Sequence, residues 1–375
     1  MCGMIYLDYQ ATTPLAPEAR AAMLPFLDGD YGNPHSPHRA GRQAAAAVEL
    51  ARDRIMAALG GTGGRLVFTS GATEAANIVI QGVAARAERR TIVTIATEHP
   101  CVRDTARAMA VRGFRILELP VGRDGIVDMV AARGLIDGDT ALVAAMLVNN
   151  EIGVIQPIAA LAEIARAAGA LFFCDAVQAF GRISVPVSSC DFVSISSHKI
   201  FGPKGIGALW LRDDVVVPPL MFGGGQEGGL RSGTLAPMLC AGFGVAAKIA
   251  AEHMADDARR VESLWARLST PLLAAGAQIN GNVDLRWRGN LNIRHQAIDS
   301  SALISGIREI AFSAGSACAS GTGRTSHVLR AIGLNDAEAR SSIRLGFGRY
   351  TADEEADRAA ALIVAAIDRR VKNVA

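Results

Sequence analysis

Short apolar runs alternate with amphipathic stretches through the first two-thirds of the chain, and the period changes between them predict the elements. Residues 5–8 read as a short strand and 11–14 as a turn. Residues 32–36 form a polar loop, and an Ala-rich stripe predicts a helix over 41–59 that ends at Gly60-Gly61. Strands follow at 66–69, 91–96, 114–119, 141–147, 170–174, 192–196 and 206–211. Helical stretches fall between them, from Ser70-Gly71-Ala72-Thr73-Glu74 to about 87, at 101–112 and at 158–168. This alternation predicts an α/β fold with a mainly parallel sheet covered by helices on both faces.

Beyond residue 235 the pattern changes. A long helical region spans 236–272, then strands at 290–294 and 309–313, a loop at 314–323, a helix from about 325 and a strand at 342–347. The closing helix opens with Thr351-Ala352-Asp353-Glu354, a capping-box pattern. The expected division is a large domain of residues 15–255 and a smaller α+β domain built from 1–14 and 256–375.

Composition narrows the function classes. The 375 residues carry a net charge of +2, which favours neither nucleic acid nor an acidic membrane as partner. Apolar runs such as Ala141 to Val148 are far shorter than the ~20 residues needed to span a bilayer. The opening MCGMIYLD lacks a basic leader and a signal-type apolar core, so a cytoplasmic location is expected. Six scattered cysteines without a CxxC pair suggest neither a disulfide framework nor a zinc site.

The candidate chemistry centres on Ser196-Ser197-His198-Lys199, at the end of a predicted strand. The chain has only four lysines, and an amine can lose its proton and condense with an aldehyde where a guanidinium cannot. Neighbouring hydroxyls and His198 suit an anion beside that amine, as a phosphorylated aldehyde would require. The 70–74 turn points backbone N–H groups toward the same kind of ligand, or Thr73 simply caps its helix. Further polar clusters follow other strands: Glu98-His99, Asn149-Asn150-Glu151, and Asp175 with Gln178. In open α/β sheets ligands sit at the carboxyl ends of strands, where these clusters converge.

Taken together, several ordered motifs resemble the pyridoxal-phosphate-dependent cysteine desulfurases of the class V aminotransferase superfamily. They are Tyr6-Leu7-Asp8 with Ala11-Thr12-Thr13-Pro14, Gly32-Asn33-Pro34, Thr69 to Glu74, Thr97-Glu98-His99, Val148 to Gly153, Asp175 to Gln178, Ser196 to Lys199, Arg231-Ser232-Gly233-Thr234, Gly315-Ser316-Ala317-Cys318 and Ser341 to Arg344. The resemblance implies a fold type I homodimer with pyridoxal 5'-phosphate held on Lys199. It further implies Asp175 against the pyridine nitrogen, His99 stacked on the ring and Gln178 on the ring hydroxyl. Ala72, Thr73, Ser196 and His198 would bind the phosphate, with Thr234 contributed by the second subunit. Arg344 would grip the substrate carboxylate, assisted by Asn150 and Asn33. Cys318 would take sulfur from L-cysteine as a persulfide, releasing L-alanine, and pass it to an acceptor such as an iron–sulfur scaffold protein. No resident metal is implied, with Cys318 a transient ligand during cluster assembly.

The segment from Cys318 to Val328 has the length of the subgroup with a long mobile loop, but its Gly321-Thr322-Gly323-Arg324-Thr325 wording departs from it. Gly228 and Gly229 stand where well-known members carry an arginine, and the chain stops soon after its last helix. These departures bear on delivery to a scaffold and leave persulfide chemistry untouched. The rival expectations are an aminotransferase, a selenocysteine lyase or a kynureninase-like hydrolase on the same scaffold. A non-catalytic sulfur-relay subunit is the rival from another class.

Overall fold

The computed structural model describes residues 3–61, 63–314 and 325–374. In chain order the elements are β1 (Ile5–Tyr6), α1 (Pro17–Asp28), α2 (Arg39–Leu59), β2 (Arg65–Thr69), α3 (Ala72–Arg86), β3 (Thr91–Ile95), α4 (Pro100–Ala108), β4 (Arg115–Leu119), α5 (Met129–Leu135), β5 (Thr140–Met146), α6 (Ile158–Ala167), β6 (Leu171–Asp175), β7 (Phe192–Ser196) and β8 (Gly207–Leu211). After them come α7 (Pro237–Glu252), α8 (Met254–Ala274), β9 (Gln278–Ile279), β10 (Asn290–Arg294), α9 (Ser300–Gly306), β11 (Ile310–Ala311), α10 (His327–Ala331), α11 (Asp336–Arg340), β12 (Ser342–Gly346) and α12 (Asp353–Val374).

Seven strands form the main sheet in the order β2-β8-β7-β6-β5-β3-β4. β4, β3, β5, β6 and β7 run parallel, as the alternation predicts. β8 is antiparallel to both of its neighbours. The reason lies in chain length: Ser196 and Gly207 are joined by a short link, whereas a parallel return needs a dozen or more residues, usually with a helix. Every residue of β3, β5 and β7 is buried, as expected of strands covered on both faces.

β12, β10 and β9 make a second, antiparallel sheet, and β1 pairs with β11. The long helical region predicted over 236–272 is two helices meeting at His253. α2 buries Gly41, Ala44, Val48, Ala51, Ile55 and Leu59 along one stripe. It approaches α7 so closely that a Cβ on Gly244 would lie 2.6 Å from the Ala51 Cα.

Two local expectations need correcting. α12 begins one residue later than its capping box predicts, because the Ala352 N–H bonds Glu355 Oε2 while the Thr351 hydroxyl accepts from the Gly348 N–H. Thr73 does not cap α3: Gly71 occupies that position and Thr73 lies inside the first turn. Among the described residues no helix is long and apolar enough to cross a membrane.

Candidate active site

A cleft of about 510 Å³ opens at the carboxyl ends of β3, β5, β6 and β7 and the start of α3. It brings together Ala72, Thr73, His99, Asn150, Asp175, Gln178, Ser196, His198, Lys199 and Arg344. These side chains come from positions 72 to 344 and meet only because the strand ends converge. Asn33 and Thr234 lie outside the cleft of their own chain and are exposed, with Asn33 Oδ1 accepting the His35 N–H. Cys318 lies outside the described residues.

Lys199 sits in a one-turn 3-10 segment immediately after β7. Its amine donates to the carbonyls of Gln10 (2.5 Å) and Ala11 (2.7 Å). Those bonds favour the ammonium, but burial, Arg182 and Arg344 act against it and bring the group down to about 7. An amine in that range keeps an appreciable neutral fraction near neutral pH and is available as a nucleophile.

The turn carrying Lys199 is fastened by the N-terminal segment. The Thr13 hydroxyl donates to the His198 carbonyl at 3.0 Å and accepts the Phe201 N–H at 2.8 Å. Phe201 has a φ of 65°, a left-handed conformation that is costly for a side chain of its size. Thr13 and aromatic contacts with Tyr9 and Tyr350 hold it there. The sequence marks residues 11–14 as a turn and a motif but not as the fastening of Lys199, since their partners are about 185 positions away.

Asp175 ends β6 with 5 % of its surface exposed. Its Oδ1 accepts from the Val177 N–H at 3.0 Å and the Ser194 hydroxyl at 3.4 Å. Burial raises it to about 6, so a cationic partner in the cleft would both satisfy its charge and be held by it. His99 caps α4, its Nδ1 accepting the Cys101 N–H at 3.2 Å. Burial, then the Lys199 charge, lowers His99 to about 4, so it is neutral at pH 7 with its proton on Nε2.

At the other wall Ser196 Oγ accepts the Ala72 N–H at 3.1 Å, at the first turn of the fifteen-residue α3. His198 Nδ1 lies 3.2 Å from Thr12 Oγ1. Burial and Lys199 lower His198 to about 4, leaving it neutral. A helix start, a serine hydroxyl and an imidazole meet where a phosphate would be welcome. Gly207 faces that helix start so closely that a Cβ would lie 2.8 Å from the Gly71 Cα.

Arg344 is 1 % exposed and donates to Asp8 Oδ1 at 2.7 Å and to the Asn150 carbonyl at 3.0 Å, while its Nε has no partner. Arg344 lines the cleft, where a guanidinium fits an incoming carboxylate. Glu98, noticed in the sequence only as part of a polar cluster, is fully buried beneath the cleft. Its Oε1 accepts the Met146 N–H at 2.6 Å and its Oε2 has no partner. Met146 is the register partner of Asp175. Burial, then the Asp175 charge, hold Glu98 well above the usual carboxylate range, which favours its protonated form.

The donor set therefore fits a flat, phosphorylated aldehyde: an amine to join it, a buried carboxylate for a ring cation, an imidazole, and a phosphate pocket. The Aminotransferase class-V family profile matches residues 5–359. A curated relative, "Cysteine desulfurase IscS" of Rickettsia prowazekii (strain Madrid E), is 42% identical over 374 residues, covering 97% of this chain and 91% of its own. A solved structure titled "NIFS-LIKE PROTEIN" superposes with a TM-score of 0.91 at 34% identity, over 97% of this chain and 99% of that one. The structure of DndA from Streptomyces lividans does so at 0.78 and 36%, over 90% of this chain and 98% of that one.

Proposed function

Starting from the fact that the chain belongs to the class V aminotransferases and is a pyridoxal-phosphate-dependent cysteine desulfurase, we propose how its residues divide the reaction. Overall, L-cysteine and a protein thiol give L-alanine and a protein persulfide. The substrate Cβ–S bond breaks with its electron pair left on carbon. An S–S bond forms to the thiolate, and protons end on the alanine carbons and the terminal sulfur.

Pyridoxal phosphate, when bound, supplies an electron sink beside the substrate Cα. Lys199 would hold it, Asp175 would pair with its ring nitrogen, and Gln178 would bond its ring hydroxyl. Ala72, Thr73, Ser196 and His198 take its phosphate, with Thr234 of a second copy. Thr234 is exposed on its own chain, which leaves it free for that role. Arg344 orients the substrate through its carboxylate, with Asn150 and Asn33 assisting. Lys199 removes and returns the Cα proton, which its lowered affinity for protons permits. His99, neutral with Nε2–H, would stack on the ring and offers a donor within the cleft. The Cys318 thiolate attacks the substrate sulfur.

The observation that carries this reading is the convergence of Lys199, Asp175, His99 and Arg344 on one cleft. The name IscS of the relatives supports an iron–sulfur scaffold as the acceptor, and the reading places the reaction in a cytoplasmic homodimer. The test is to incubate purified protein with L-cysteine and a reducing thiol and to measure alanine and sulfide. Equal release of both, lost in Lys199→Ala, is expected. A keto acid in place of alanine would mean transamination and refute it.

A further inference from the structure

We infer, resting on the reading above, that Arg182 is a positioning residue of this site: its guanidinium braces Gln178 and the Lys199 backbone from behind the cleft and sets a fixed positive charge against the Lys199 amine. Arg182 Nη1 donates to Gln178 Oε1 at 2.6 Å and to the Gln178 carbonyl at 3.2 Å, and Nη2 donates to the Lys199 carbonyl at 2.8 Å. One planar fork therefore ties together two residues that face the cofactor. Lysine, with a single nitrogen, cannot span them in the same way.

Among the described residues no carboxylate lies within ion-pair distance of Arg182. The nearest anionic influence, Asp257, is already held by Arg349, at 2.9 Å from Nε and 2.6 Å from Nη2. Arg182 instead stacks on Trp287, 6.0 Å from the ring centroid, and borders a cavity of about 20 Å³ shared with Lys199 and Asp257. An interior cation normally has a carboxylate partner, because burial penalises an unpaired charge. A carboxylate here would cancel the field at Lys199. Burial lowers Arg182 itself only to about 10, so it stays charged at pH 7. After burial, Arg182 is the largest influence disfavouring a proton on Lys199.

The test titrates the visible absorbance of full-length protein loaded with pyridoxal phosphate, wild type against Arg182→Gln, Arg182→Met and Arg182→Lys. Losing the charge raises the titration midpoint by on the order of one pH unit, a roughly tenfold change in the protonation equilibrium. Arg182→Lys keeps the charge and holds the wild-type midpoint, while losing the brace on Gln178. A purely structural role would lower thermal stability and leave every midpoint in place. Unmoved midpoints in the charge-removing variants, or an equal rise in Arg182→Lys, overturn the inference. If Arg182→Gln does not fold, Arg182→Met and Arg182→Lys still decide it. Absence of a visible band in the wild type would instead defeat the functional reading on which it rests.

Discussion

Replacing Glu98 by glutamine isolates the consequence of burying a neutral acid beneath the cleft. The folded protein keeps a proton on Glu98 that the unfolded chain releases above about pH 4.5, its ordinary value. Where the folded state binds one proton more, stability falls as pH rises, at about 1.4 kcal/mol per pH unit. The loss sets in above the ordinary carboxylate range, where the unfolded chain gives up its proton and the folded one holds it. Glutamine retains the carbonyl that accepts the Met146 N–H and has no proton to lose. Its buried NH₂ takes the place of the unpartnered Oε2 and costs roughly 1–3 kcal/mol at every pH. Glu98→Gln should therefore gain on the wild type steadily as pH rises. Urea denaturation of both cofactor-loaded proteins between pH 5 and 7 reads the difference. Parallel stability profiles would refute the neutral acid.

Three further outcomes follow from the cleft walls. Arg344→Lys loses the planar fork and raises KM for L-cysteine about 10- to 100-fold in steady-state assays, with a smaller change in kcat. Gly207→Ala places a methyl 2.6 Å from the Ile195 carbonyl and 2.8 Å from the Gly71 Cα, so the α3 start must move; faster loss of pyridoxal phosphate on dialysis checks this. Thr13→Val leaves the His198–Phe201 turn without its hydroxyl and costs about 1–3 kcal/mol in denaturant melts.

The strand pattern was readable because β3, β5 and β7 are apolar throughout, a signal that survives without knowledge of neighbours. The same reading missed α1, which buries little beyond Ala19, has no capping side chain at Ala16 and contains Pro25. It extended the strand at 309–313 too far, since only Ile310–Ala311 pair in the sheet and Ser313 makes an isolated bridge to Arg344. Lys199 and Asp175 stood out because their residue types are chemically marked and each follows a predicted strand. Arg182 carried no such mark. Its meaning comes from what it lacks, a carboxylate, and from the carbonyls it reaches, and neither is visible along the chain. Glu98 was seen beside His99, but its burial and its empty Oε2 are tertiary facts. The bonds of Thr13 were hidden for the same reason, with its partners in the turn after β7, about 185 positions away.

The central claim is that this cleft delivers cysteine sulfur to one thiol of the same protein. A single-turnover reaction with sulfur-labelled L-cysteine, quenched with an alkylating agent and mapped by peptide mass spectrometry, tests it most directly. The account predicts one added sulfur atom on the Cys318 peptide, matched by alanine, and neither in Cys318→Ser, although that variant keeps its visible cofactor absorbance. Labelled sulfur on another cysteine, or undiminished alanine release from Cys318→Ser, would contradict it.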